Sequence, residues 1–191
     1  MSIDPTRLLV LGAVRQEQPA SGYAIMRELT GWGVQDWASV NPGSIYGALR
    51  ALEKDGLVTL DTGSTPKDAR AHKTSAKYAL TAAGDTAFTA LLHTALREVD
   101  PYRPAPFMAA LCFLVDLPRD TVADALRRRA TNLTEQRRRF DDEESHVASD
   151  PEKPLHSAEF VRLAANRIDG ELAYTQELLQ RVTSGSYTFS D

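Results

Sequence analysis

Cysteine is almost absent: the 191 residues include one, Cys112. A single thiol closes no intrachain disulfide and supplies no Cys-rich zinc site, and it fits a reducing compartment. Cys112 stands inside an apolar run, which points to packing rather than to a nucleophile. Histidine is scarce too. His72, His93, His146 and His156 are scattered, with no pair four residues apart to ligate a metal, and no glycine-rich phosphate loop accompanies them. Long hydrophobic runs are missing. Leu8 to Val14 and Phe107 to Val115 fall far below the roughly 20 residues that span a bilayer, and the N-terminus does not resemble a targeting segment. The expectation is a soluble, cytoplasmic chain with no membrane partner, cofactor, metal or catalytic residue. There is no excess of one charge either. With 22 Lys+Arg against 26 Asp+Glu the net charge is −4, so any nucleic-acid contact must be local rather than global.

What is present is an ordinary globular composition, 42% hydrophobic and 25% charged. That length buries one core or two small ones. Pro101, Pro104 and Pro106 break helical continuity and set a boundary near Asp100. The reading is a domain over 1–100, a helical domain over 101–183 and a loose tail over 184–191. Internal repeats and low-complexity tracts are absent.

The first half reads as three helices, two strands and a helix. Leu8, Leu9, Leu11 and Val14 form one apolar helical face. Ser21 caps a second helix, which ends at Thr30-Gly31-Trp32-Gly33. Asn41 followed by Pro42 marks the start of a third, with Ile45, Leu49 and Leu52 on its inner face and Gly56 closing it. Leu57–Leu60 and Lys77–Leu80 read as paired strands around a long tip. Thr81 caps the next helix, with Gly84 in its first turn.

Three helices and a two-stranded hairpin give the winged helix-turn-helix order, a mostly α, α+β fold in which the third helix enters the major groove and the hairpin follows the backbone. Charge supports this. The tip and its return strand carry Lys67, Arg70, Lys73 and Lys77 against Asp68 alone. On the third helix Ser44, Tyr46, Gly47 and Arg50 are left facing outward. Hydroxyls and backbone N–H groups near a helix N-terminus suit phosphate oxygens. The bland alternative is a solvated hairpin and a capped surface helix with Tyr46 packed on a neighbour.

These residues resemble a known family. Pro42-Gly43-Ser44-Ile45-Tyr46, Leu49, Leu52-Glu53 and Gly56-Leu57-Val58 look like the PadR transcriptional regulators. Lys77-Tyr78, Leu80-Thr81 and Gly84 continue the pattern, with Gly22-Tyr23 and the Leu-rich first helix upstream. The resemblance covers roughly 7–95 closely. Beyond it only the layout matches: a proline-rich hinge and long helices, as in the larger subfamily. The resemblance implies a homodimeric repressor, released from a pseudo-palindromic double-stranded DNA operator by a small molecule. It also implies that Tyr23, Ser44 and Tyr46 contact DNA, with wing residues around Lys77 on the backbone. Family members often carry proline at Gly47 and an aromatic at Ala79. Arg50, Lys67, Arg70 and Lys73 are assigned to DNA from charge.

The second half reads as an all-α dimerisation domain. Leu126, Leu133, Phe140 and Val147 recur every seven residues, and Val161, Ile168, Leu172 and Leu179 follow in steps of three and four. A lone helix of that length has little to bury against, so Leu126, Leu133, Phe140, Val161, Ile168, Leu172 and Leu179 are expected at a dimer contact. Arg127–Arg129 and Arg137–Arg139 alternate with acidic residues and read as a solvated or interchain-paired face rather than a nucleic-acid site. An effector, a small aromatic or drug-like molecule, is placed at Tyr102, Phe107, Met108 and Phe113, with Arg103 and Cys112 beside them, although core packing is the favoured alternative for these residues. Trp32 and Trp37 read as core packing, with stacking on a flat ligand as the alternative. The competing function is a protein-interaction regulator that uses its winged helix without DNA.

Overall fold

The computed structural model describes residues 3–61 and 76–189. The expected tip cations Lys67, Arg70 and Lys73 lie outside them. The elements run α1 (Pro5–Glu17), β1 (Ala20–Ser21), α2 (Gly22–Gly31), α3 (Val34–Trp37), α4 (Pro42–Lys54), β2 (Val58–Asp61), β3 (Lys77–Leu80), α5 (Ala82–Arg97), α6 (Ala105–Leu111), α7 (Arg119–Ser149) and α8 (Ala158–Thr183). The fold is the mostly helical winged helix-turn-helix and long-helix arrangement expected from sequence. Among the described residues no helix is long and apolar enough to cross a membrane.

Two compact units form, and their boundary is interleaved. The first takes residues up to Ala95 together with Ala105–Phe113. The second takes Leu96–Pro104 together with the chain from Leu114 onward. A single break near Asp100 therefore describes the chain too simply: α6 belongs with the N-terminal elements and the last two residues of α5 do not.

In the first unit α1 is the central helix. Leu8, Leu9, Val10, Leu11, Gly12, Ala13 and Val14 are all buried, on every side rather than on one face. Around it stand Ile25 and Leu29 of α2, Ile45, Leu49 and Leu52 of α4, and Phe88 and Leu92 of α5. Phe113, for which core packing is the favoured alternative to an effector wall, fills this core. It is fully buried, edge-on to Trp32 at 5.6 Å and to Phe88 at 5.4 Å between ring centroids. Its ring lies so close to α1 that a Cβ at Gly12 would stand 2.2 Å from Phe113 Cζ. Phe107 is also buried, while Met108 is partly exposed. Tyr102 belongs to the second unit, stacked on Phe160 at 6.2 Å. Cys112 is at the surface rather than packed. Partial cover of its thiol pushes the pKa up, which keeps it a poor nucleophile. Trp32 and Trp37 pack as expected, Trp37 Nε1 donating to Trp32 O at 3.1 Å.

Among the described residues the sheet has three strands, not two, in the order β1-β3-β2 and antiparallel throughout. Val58 faces Leu80 and Leu60 faces Tyr78. The added strand is only Ala20–Ser21, opposite Tyr78 and Lys77. Two residues leave no periodic trace in a sequence, so only the pairing reveals it.

The second unit is built on α7 against α8. Leu133, Phe140, Val161, Ala164, Ala165 and Ile168 form one buried cluster. Leu126, Leu133, Phe140, Val161 and Ile168, expected to face a second copy, are thus buried inside one protomer; Leu172 and Leu179 are half-buried. The heptad pattern was spent within the chain, because the second long helix covers the first. Ion pairs follow the same antiparallel order: Arg129 with Glu171, Arg137 Nε with Asp169 at 3.0 Å, Arg162 Nε with Glu144 at 2.7 Å. Tyr187 and Phe189, in the segment expected to be a loose tail, make contacts. Arg119 donates to Val182 O at 2.7 Å and Tyr187 O at 3.1 Å, and its guanidinium lies 4.7 Å above the buried Phe189 ring.

Candidate nucleic-acid interface

The local sequence fixes α4 tightly. Asn41 Oδ1 accepts from Ser44 N at 2.9 Å, and Asn41 N donates to Ser44 Oγ at 2.9 Å, a reciprocal capping box. Pro42 sits at the first helical position, where its missing N–H costs nothing. Ser44 Oγ also donates to Asn41 O at 2.7 Å. Its one proton is therefore committed to the cap, leaving the hydroxyl only acceptor capacity toward anything else. At the far end Gly56 takes φ +70°, the left-handed conformation that terminates helices. Ile45, Leu49 and Leu52 are buried on the inner face, and Arg50 is exposed on the outer one.

α2 meets α4 and β3 at Ser21 and Gly22. Ser21 Oγ accepts from Ala24 N at 3.1 Å, capping α2, and Ser21 is the register partner of Lys77. The next residue has almost no room. A Cβ on Gly22 would stand 3.0 Å from Tyr46 Cε1 and 3.5 Å from Tyr78 Cε2. A side chain there would make the Tyr46 ring give by a few tenths of an ångström, while the Tyr78 ring is in ordinary contact. Tyr23 follows directly and is 61% exposed, an unusual state for a large aromatic. Three of the expected DNA residues, Tyr23, Tyr46 and Lys77, are therefore grouped around one two-residue step. Tyr46 is half-buried, so it packs as well as borders the surface. Lys77 is exposed.

Tyr78 joins this group and was not singled out from sequence except within the motif. Burial raises its phenol pKa, Glu53 adds to the rise, and Arg50 opposes it. The hydroxyl is a neutral donor at any ordinary pH. The only signal for it in the sequence was its place beside Lys77.

The strand-to-helix corner explains the remaining motif residues. Thr81 Oγ donates to Gly56 O at 2.8 Å and accepts from Gly84 N at 3.0 Å, while Thr81 N donates to Leu57 O at 3.1 Å. One threonine thus ties the start of β2 to the first turn of α5 and sets the base of the wing.

Residues 10–90 match the sequence profile described as the transcriptional regulator PadR-like family. No curated protein matches the chain. Among solved structures, the chain is similar to Bacillus subtilis PadR in complex with operator DNA, at 19% identity over 92% of this chain and 98% of that one, with a TM-score of 0.36. The same protein in complex with p-coumaric acid is similar at 18% identity over 94% and 99%, TM-score 0.37. The PadR-like regulator BC1756 from Bacillus cereus is similar at 14% identity over 94% and 98%, TM-score 0.36. The motif at the helix and strand ends agrees with the profile: residues 10–90, the N-terminal part of the chain, are similar to the PadR-like family of transcriptional regulators.

Proposed function

We propose that the chain is a cytoplasmic, homodimeric repressor that binds a pseudo-palindromic operator and is released by a small-molecule effector. One observation carries the DNA-binding half: Tyr23, Tyr46 and Lys77 are grouped around Ser21–Gly22, with exposed Arg50 on α4. An exposed aromatic and basic groups beside a helix that presents its polar face are what phosphate positioning and groove entry require.

The test is binding to the duplex upstream of the protein's own gene, against a random duplex, across a salt series. The expected result is tight binding to the first, falling steeply as salt rises. In the double variant Arg50→Glu and Lys77→Glu, affinity should drop by about tenfold or more, and the salt slope should become shallower by about two. Weak binding, equal on both duplexes and indifferent to the double variant, would replace this reading with a protein-interaction module.

The surface we assign to the dimer is not the heptad residues, which the protomer already buries. Exposed Phe160 (65%), Leu163 (54%) and Tyr174 (41%) all lie on α8. Apolar residues exposed together on one helix are the material of a helix-to-helix contact. Phe160→Glu with Leu163→Glu should turn a dimer into a folded monomer by light scattering, with unchanged far-UV circular dichroism. A variant that stays dimeric would move the contact elsewhere.

A further inference from the structure

The DNA-binding reading leaves a polar groove in the second unit unused. Arg97 and Glu98 at the end of α5 form one side of a cavity of about 290 Å³, and Arg128, Thr131 and Asn132 of α7 form the other. The three α7 residues recur at steps of three and one, so they share a helical face. A second cavity of about 210 Å³ shares Glu98 and Asn132 and reaches as far as Arg139. The first is close to the roughly 300 Å³ at the lower end of small-ligand sites. Its walls carry charged and hydrogen-bonding side chains and no aromatic ring, which does not suit a flat apolar ligand.

The arginines of this groove differ from their neighbours. On the same helix Arg127 pairs with Asp124 at 2.5 Å, Arg129 with Glu171, and Arg137 Nε with Asp169 at 3.0 Å. Among the described residues no carboxylate lies within ion-pair distance of Arg128. Arg97 has only its sequence neighbour, Glu98 Oε1, 3.3 Å from Nε; that Nε–H is buried and makes no hydrogen bond. A buried donor without an acceptor is costly, and an oxyanion brought beside it removes the cost. Asn132 Nδ2 donates to Arg97 O at 3.1 Å, which holds the wall in place and leaves Oδ1 to accept.

We infer that this groove binds a small hydroxylated organic anion, its carboxylate or phosphate held between Arg97 and Arg128 and its hydroxyls meeting Glu98, Thr131 and Asn132. The proposal names the effector class of the repressor. Binding in the groove does not depend on that reading; its consequence for DNA does.

Isothermal titration of the full chain with gluconate, glucose 6-phosphate and glucose tests it without DNA. Saturable binding of at least one anion, at about millimolar dissociation constant or tighter, is expected, with none for neutral glucose. Gluconate alone would identify a carboxylate ligand, and glucose 6-phosphate alone a phosphate ester. Arg128→Gln should weaken binding about tenfold, because a charge-assisted contact is lost. Arg138→Gln, on the same helix but outside the cavity, should leave it unchanged. Absence of saturable heat from both anions would overturn the inference, as would equal binding of glucose or unaltered affinity in Arg128→Gln and Arg97→Gln. A negative result here leaves the repressor reading standing, and failure to bind the upstream duplex leaves the groove standing.

Discussion

Replacing Gly84 by alanine should lower the melting temperature by several degrees, although alanine is the better helix former. A Cβ at that position would stand 1.9 Å from Leu57 O and 2.9 Å from Leu57 C. Both are backbone atoms, and the carbonyl is already fixed by Thr81 N at 3.1 Å. Neither side can yield without pulling α5 off β2. Overpacking of this kind costs about 3 kcal/mol, against about 1 kcal/mol gained in helix propensity. The net loss of about 2 kcal/mol corresponds to roughly 4–8 °C in a chain of this size. Gly170 is the internal control. It lies within α8, and a Cβ there meets nothing within 4 Å. Gly170→Ala should therefore stabilise by about 1 kcal/mol. Differential scanning calorimetry of the two variants decides it: if both moved upward, the close approach at Gly84 would not constrain the wing base.

The second large effect is an asymmetry in one ion pair. Arg129 is 2% exposed, donates to Glu98 O, and pairs with Glu171, which is 27% exposed. Burial pulls the Arg129 pKa down and Glu171 opposes it, yet an arginine keeps its charge. Glu171→Ala leaves that charge buried without its counter-ion, which should cost about 3 kcal/mol, or roughly 6–12 °C. Arg129→Met leaves a carboxylate that water can still reach, and the unbranched thioether fills much of the space. It should cost less, about 1–2 kcal/mol, mostly for the lost donor to Glu98 O. Urea denaturation of both variants tests the order. Should Arg129→Met be the more damaging, packing by the arginine stem, and not its charge, would be what holds the second unit together at Glu98 and Glu171.

The short-range features were legible because each depends on neighbours in sequence. Asn41-Pro42 and Ser44 make their cap within four residues, Ser21 caps α2 within three, and Gly56 closes α4 by its own backbone conformation. The wing pair was legible from its short β-branched run and its return strand. The site was half legible. Arg50 stands exposed where outward spacing put it, and Tyr23, implied only by the resemblance, is exposed too, whereas Ser44 turned out to have committed its proton to Asn41 O. Periodicity gives a residue's face, and it does not say what else its hydroxyl touches.

Helix caps, the strand pair, the mostly helical character and the motif shared with the PadR-like profile are legible in the residues alone, since all of these depend on local conformational preference and spacing. Tertiary structure alone decided which partner each apolar face took. Leu133 and Phe140 found α8 of the same chain, Phe113 found Gly12, and Tyr187 found Arg119. An apolar stripe records that something must cover it. What covers it depends on which surfaces the rest of the chain brings within reach, and that is a property of the folded molecule.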